Sequence, residues 1–509
     1  MIAERVVKNT GFLYLRMLIS TGILLYTVRL VVQGLGTEDF GLFNIVGGVL
    51  AMLAFLNASM AMATQRYMNY SEGADDFMAK RRVFNNSILL HLLTAVISLV
   101  LFAIVGLVVF NGVLNISPNR VFASQVVYGC LVISTFFTVL GVPYDAAINA
   151  HENMKFYAIV GVVESLLKLI IALVTIRFAG DRLIFYGILM SLVPICSLAM
   201  MMLYCHRHYR ECSLHLRSDF EKPLFRELAG FAGWNMLGIA SSLFGNYGQG
   251  IVLNHFFGAV LNAAQGIATQ VVGQLMAFSR NMLKALNPVL AKSEGRGDRA
   301  TMLLASLKGN KYSFYILAFF SLPCIIEMPY ILEIWLDEVP QWAVVFSQLH
   351  LVRTLIEQVT ISFNSSIAAE GRVARFNQMI CLINLSSIPV TVLLFLFGSA
   401  PVAMYWANIL IYGVLFSAVE IYFMKRQCQM SLLSYFREVL LPAVRVSAIV
   451  SLLGCVPLLF MPAGFVRLLA VCGLCGVSTL ALIFFDMDGG ERHLLRHLTE
   501  QRVQKRREP

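Results

Sequence analysis

The stretch 36–76, GTEDFGLFNIVGGVLAMLAFLNASMAMATQRYMNYSEGADD, returns at 258–298 as GAVLNAAQGIATQVVGQLMAFSRNMLKALNPVLAKSEGRGD, shifted by 222 positions without a gap. Ten of the 41 aligned positions are identical. They include Gly36/Gly258, Leu53/Leu275, Ala63/Ala285, the tripeptide Ser71-Glu72-Gly73 against Ser293-Glu294-Gly295, and Asp76/Asp298. A second match follows at a shift of 219, where Tyr144, Ile148, Ala150 and Tyr157 fall on Phe363, Ile367, Ala369 and Phe376. Repeats of this length are duplicated bundles, and duplicated bundles in a membrane are a usual architecture of transporters.

Working outward, the composition agrees. Of 509 residues, 58% are apolar and 13% charged, where a soluble domain carries about 25% charged residues. A spanning helix needs roughly 20 apolar residues. Such runs lie at 11–32, 41–63, 88–110, 122–142, 156–176 and 183–204 in the first half. The second half has 231–253, 260–282, 312–335, 344–367, 379–396 and 402–423, and a last pair lies at 440–460 and 465–485. The predicted fold is an all-α polytopic membrane protein of about fourteen transmembrane helices. It has an N-terminal six-helix lobe (1–205), a linker (206–227), a C-terminal six-helix lobe (228–424), an extra helix pair (425–487) and a basic tail (488–509).

Charge placement gives the orientation. With the N-terminus inside, 28 of the 39 Lys and Arg residues fall in inside segments, and only Arg120, Arg177, Arg182 and Arg467 fall outside. That asymmetry predicts both termini in the cytoplasm. The repeat shift spans six helices, an even number, so the two lobes are expected to be parallel repeats. The linker reads either as a plain connector or as a dock for a cytoplasmic partner. None of the ten cysteines lies in an outside loop, so no disulfides are expected.

Polar residues inside the spans are the candidate site residues. In the seventh span Asn235, Ser242, Asn246 and Gln249 share one helical face. In the eighth, Asn262, Gln265, Thr269 and Arg280 do the same, with Lys284 slightly off the line. Such stripes face protein or water, either as bonds between helices or as a cavity wall. Arg16, Arg29, Lys168 and Arg353 add cations in or at the ends of spans, where each costs roughly 2.5–3.5 kcal/mol at a helix centre. Glu164 and Lys168 are one turn apart, as are Arg353 and Glu357. Either these pairs neutralise each other, or Lys168 and Arg353 meet an anionic substrate and Glu164 or Glu357 is an ion-coupling carboxylate. The 219 shift puts Lys168 opposite Ser387 and Arg353 opposite Ser134, so each charge belongs to one lobe.

Other chemistry is lacking. There is no Gly-x4-Gly-Lys-[Ser/Thr] loop for nucleotide phosphates and no His-Glu-x-x-His. No catalytic residue, metal site or cofactor is expected. The basic residues are not interleaved with aromatics, which argues against nucleic acid.

Several motifs carry a resemblance. The chain opens NTGFLYLR at 9–16, followed by LYTVR at 25–29, LGTEDFGLFNIVGG at 35–48 and PYDAAINAHE at 143–152. It resembles the polysaccharide-biosynthesis (O-antigen-type) flippases of the multidrug/oligosaccharidyl-lipid/polysaccharide exporter superfamily. The resemblance implies two lobes facing each other in a V around a central cavity. It also implies a cargo, a polyprenyl-pyrophosphate-linked glycan, moved from the inner to the outer leaflet of a bacterial cytoplasmic membrane. Membrane lipids and polysaccharide-assembly proteins would be its partners. Two alternatives stay open: a drug or cation antiporter of the same superfamily, and a membrane-embedded polysaccharide polymerase or acyltransferase. The last helix pair is either a packing pair or the wall of a lipid-tail groove.

Overall fold

The computed structural model describes residues 2–51, 54–110, 117–336, 338–487 and 489. The tail expected from 488 onward lies, apart from Gly489, outside them. Helix accounts for 88% of the described residues, and there is no strand among them. The helices are α1 (Ile2–Ala51), α2 (Ala54–Gly73), α3 (Phe77–Val108), α4 (Val121–Ala150), α5 (Met154–Arg177), α6 (Arg182–His208), α7 (Lys222–Phe257) and α8 (Ala259–Gly295). There follow α9 (Arg299–Ile326), α10 (Met328–Trp335), α11 (Ala343–Gln358), α12 (Phe363–Glu370) and α13 (Ala374–Leu396). Three more complete the chain: α14 (Val402–Cys428), α15 (Leu432–Phe460) and α16 (Phe465–Asp486).

Among the described residues nine helices are long and apolar enough to cross a membrane, or ten when the bent pair α9–α10 is one span. Their outward faces suit lipid: Leu107, Leu382, Leu452 and Val477 are each about two-thirds exposed or more, an arrangement water would not tolerate over so many helices. Helices α7 and α8, of 36 and 37 residues, are long enough to cross as well. Their amide and hydroxyl stripes dilute the apolar run.

By contacts the chain divides into two units, one formed by 8–240 with 288–298, the other by 1–7, 241–287 and 299–509. In the first, α4 packs along α6, with α2, α3 and α5 around them. The core includes Leu30, Val46, Phe102, Val127, Ile171 and Leu183. At one end Arg120 joins two helix starts. It holds buried Asp39 at 2.6 Å and Asp181 at 2.8 Å, and Asp181 also caps α6 by accepting from Leu183 and Ile184 backbone N–H groups.

The second unit centres on Leu253, Phe346, Leu351, Phe395 and Tyr405. The sequence suggested one helix over 312–335. Instead α9 and α10 meet at 82°, after Pro323 and before Pro329, neither of which donates a backbone hydrogen bond. At the bend Glu327 is fully buried, and Arg467 of α16 donates to it from Nε at 2.8 Å and Nη2 at 2.9 Å. This fork clamps the last helix to α9. Likewise the helix expected over 344–367 is broken between α11 and α12 by the turn at 359–362.

The duplicated stretch has a structural meaning at both ends. Gly36 interrupts α1 with φ 79°, and Gly258 separates α7 from α8 with φ 81°. Both copies therefore open at a positive φ, which glycine adopts without steric cost. Both close on a second one, at Asp75 (φ 55°) and at its mate Gly297 (φ 74°).

Between these positions the two Ser-Glu-Gly copies cross. A β-carbon on Gly73 would lie 2.6 Å from Lys292 Cα and closer still to its carbonyl oxygen. One on Gly295 would lie 3.1 Å from Tyr70 Cα, again closer to the carbonyl. Tyr70 and Lys292 are themselves mates under the 222 shift, so the contact is reciprocal. Arg296 Nε donates to the Gly73 carbonyl at 3.2 Å, and Lys292 pairs with Glu152 at 2.8 Å.

Candidate functional site

Within the first unit, α1, α4, α5 and α6 enclose a cavity of about 480 Å3. Three residues singled out from the sequence line it: Arg16, Glu164 and Lys168. Asp145, Ser134, Thr138, Ser197, Phe137 and Tyr157 share the wall. Polar side chains cluster here because each helix turns its few polar residues inward, away from lipid.

Local structure sets each group. Arg16 projects from α1 across α5, its guanidinium 4.4 Å from the centre of the Tyr157 ring, a cation–π contact that strengthens where water is scarce. It has room because residue 161 is glycine: a β-carbon there would fall inside the guanidinium. One turn on, Ser165 donates to Ser20 Oγ at 2.9 Å and fastens α5 to α1. Pro194 of α6 lacks an N–H, so the Met190 carbonyl cannot take its helical bond from that residue. Both line the cavity.

Glu164 and Lys168 are one turn apart on α5, but among the described residues no ion pair joins them. Each presents its charge to the cavity. The wall thus offers two cations, Arg16 and Lys168, two carboxylates, Glu164 and Asp145, and three hydroxyls beside aromatic rings.

The second unit treats its pair differently. Arg353 Nε lies 3.0 Å from Glu357 Oε1. Its Nη2 is 3.1 Å from His350 Nε2, and the guanidinium lies 5.0 Å from the centre of the Tyr412 ring. The Tyr412 hydroxyl donates to Ser387 Oγ at 2.9 Å. Ser387 is the mate of Lys168, and Ser134, in the Lys168 cavity, is the mate of Arg353. Each unit therefore carries one cation and one serine at matched positions, with the two exchanged.

Arg353→Gln should leave the Glu357 carboxylate unpaired at a cost of about 3–5 kcal/mol, and the amount of protein in the membrane should fall. Adding Glu357→Gln should restore it. Immunoblotting of membranes from the wild type, the single and the double variant decides between pairing and any other role.

The other sequence candidates scatter. Gln249 is buried, and its amide is taken up between helices, donating to Asn408 Oδ1 at 2.7 Å and to Thr391 at 3.3 Å while Asn408 donates back at 3.0 Å. Asn235 is buried and donates to the Phe231 carbonyl at 2.8 Å. It belongs to the first unit, and the rest of its stripe belongs to the second. Asn246 and Thr269 are exposed and bond to carbonyls one turn back, at Ser242 and Gln265. Asn262, Gln265 and Lys284 are half-buried, and Arg29 and Arg280 are exposed.

Sequence reasoning missed Asp145, Gly161 and Glu420. Asp145 sits inside the quoted 143–152 motif. Glu420 is a buried carboxylate of α14. Only Gly161 left no signal, since its role depends on a residue 145 positions away.

A further charged cluster lies where α2, α4 and α6 end. The Glu72, His151 and Glu211 ligand atoms lie within 4.8 Å of one another, a grouping able to hold a metal ion. Lys80 Nζ is 3.0 Å from Glu72 and already supplies positive charge there. His151 bonds Glu211 through Nε2 and stacks on Tyr209 at 4.0 Å. Burial works against the Glu211 carboxylate, but His151, its own backbone and Lys80 outweigh that and hold its pKa below the ordinary value. A depressed pKa means this contact stabilises at neutral pH and is lost as the pH falls through it.

No family model and no curated protein matches the chain. Solved structures share its fold. An outward-facing multidrug resistance MATE family transporter of the MOP superfamily superposes with a TM-score of 0.69 at 15% identity, covering 83% of this chain and 96% of that one. A MOP superfamily transporter from Pyrococcus furiosus, whose binding pocket of reversed polarity suggests a different function, gives 0.68 at 13%, covering 83% and 96%. The MATE transporter ClbM in complex with rubidium gives 0.67 at 13%, covering 86% and 96%. At these identities the likeness is one of fold. The chain is a multi-pass helical membrane protein with the fold of MATE transporters.

Proposed function

We propose that the chain is a transporter that moves a polyprenyl-pyrophosphate-linked oligosaccharide from the inner to the outer leaflet of the bacterial cytoplasmic membrane by alternating access. The observation that carries this reading is the cavity where Arg16 and Lys168 stand beside Glu164, Asp145 and hydroxyls. The cations suit a pyrophosphate, and carboxylates and hydroxyls beside aromatic rings suit a sugar. Its volume of about 480 Å3 is in the range of ligand pockets, about 300–1,000 Å3. In this reading the chain crosses the membrane fourteen times, keeps both termini in the cytoplasm, and does no covalent chemistry.

A second reading, a drug or cation antiporter, is favoured by the multidrug resistance transporter among the structural neighbours. A site for cations calls for surplus negative charge, and this cavity balances two carboxylates with two cations. Deleting the gene separates the readings. Mass spectrometry of lipid extracts should show polyprenyl-pyrophosphate-linked oligosaccharides accumulating. Unchanged intermediates together with new sensitivity to cationic drugs would favour the antiporter.

A further inference from the structure

A second cavity, of about 380 Å3, lies in the other unit where α9, α15 and α16 come together. Its wall carries four cations, Lys308 and Lys311 of α9 with Arg437 and Arg445 of α15, against two carboxylates, Glu438 and Asp486. Asp486 is already engaged. Its carboxylate pairs with Arg445 and accepts from the Tyr315 hydroxyl, and its backbone carbonyl accepts from Lys311 Nζ at 2.6 Å. Asp486 is thus taken up by Arg445, Tyr315 and Lys311, on a wall that holds four cations and two carboxylates. Arg437 and Glu438 stand on a π-helical stretch, Phe436–Leu440, a distortion that recurs at functional sites.

The rest of the wall is apolar. Leu304 and Leu441 line the cavity and are about half exposed, and Val444, one turn from Leu441, is more than half exposed. The surface therefore passes from cations to bare leucine and valine over a short distance, as a lipid does from headgroup to chain. It lies on the side of the membrane to which the charge asymmetry assigns the basic loops. Basic pockets between helices on that side suit anionic headgroups.

We propose that this cavity binds the phosphate headgroup of an anionic phospholipid, with the acyl chains lying over Leu304, Leu441 and Val444. The ligand chemistry is a phosphate ester at the membrane surface, and the occupant is lipid, not free phosphate. The site would tie the last helix pair to α9 whatever the cargo of the transport cavity.

The test uses the purified full-length protein in nanodiscs of phosphatidylcholine, with and without phosphatidylglycerol. Phosphatidylglycerol should raise the melting temperature of the wild type by at least about 3 °C. Lys308→Gln with Arg437→Gln should lose more than half of that rise. Both changes avoid Arg445, whose removal would strand Asp486. Should the double variant fail to fold, native mass spectrometry of wild type and Arg437→Gln decides, with fewer phosphatidylglycerol molecules retained by the variant. The proposal is overturned by equal stabilisation or retention in wild type and variant, or by a wild type indifferent to phosphatidylglycerol. It is also overturned if inorganic phosphate alone, in detergent, reproduces the stabilisation, because the site then takes a free anion.

Discussion

Gly73→Ala and Gly295→Ala are each expected to destabilise the purified protein by at least about 1–3 kcal/mol, the usual cost of overpacking. Alanine for glycine inside a helix normally helps by roughly 0.5–1 kcal/mol, so the sign itself is diagnostic. At these two positions the added carbon meets backbone, the Lys292 carbonyl in one case and the Tyr70 carbonyl in the other. Backbone cannot swing aside as a side-chain tip does, and the two helix ends must separate. That separation would also strain the Arg296 bond to Gly73 and the Lys292–Glu152 pair. Because both carbons press on one crossing, the double variant should cost less than the two singles added, with a coupling in the range of about 0.5–3 kcal/mol. Gly11→Ala is the control, since nothing lies within 4 Å of a β-carbon there. Thermal melts of the four variants make the comparison. A Gly73→Ala protein as stable as Gly11→Ala would mean that the crossing is looser than described.

The second large effect is expected at Gly161. Alanine here collides with the Arg16 guanidinium, the far end of a flexible side chain, so the fold should survive while Arg16 leaves the cavity. A desolvated cation–π contact is worth about 2 kcal/mol or more. Losing it, with the charge, should lower transport by about thirtyfold at near-normal protein abundance. Arg16→Ala should do the same. The informative strain carries both changes: with Arg16 already gone, Gly161→Ala should have no further effect. Additive losses would show that Gly161 acts through helix packing.

What the sequence disclosed follows from what periodicity and composition can carry. Hydropathy found the apolar helices, and the repeat marked positions with shared backbone demands, so Gly36 and Gly258 have nearly the same φ. Spacing along one helix could not say which face meets which neighbour. Glu164 and Lys168 on α5 and Arg353 and Glu357 on α11 look alike as i,i+4 pairs. One pair opens onto a cavity, while in the other Arg353 meets Tyr412 and His350 and closes on Glu357. Gln249 read as part of a polar stripe, and its partner Asn408 lies 159 residues away. The bend at Glu327 falls between Pro323 and Pro329, which the hydropathy run passes over, and the Arg467 that clamps it is 140 residues further on.

The central claim is that the chain carries a lipid-linked oligosaccharide across the bilayer using the Arg16–Lys168 cavity. The most direct measurement reconstitutes the purified protein into liposomes loaded with a polyprenyl-pyrophosphate-linked oligosaccharide and follows its exposure to a glycan-cleaving enzyme added outside. The wild type should expose the inner-leaflet pool, and the double variant Arg16→Ala with Lys168→Gln should leave that pool protected. An inner pool that stays protected with active wild-type protein, while a cationic dye is moved by the same vesicles, would contradict the account.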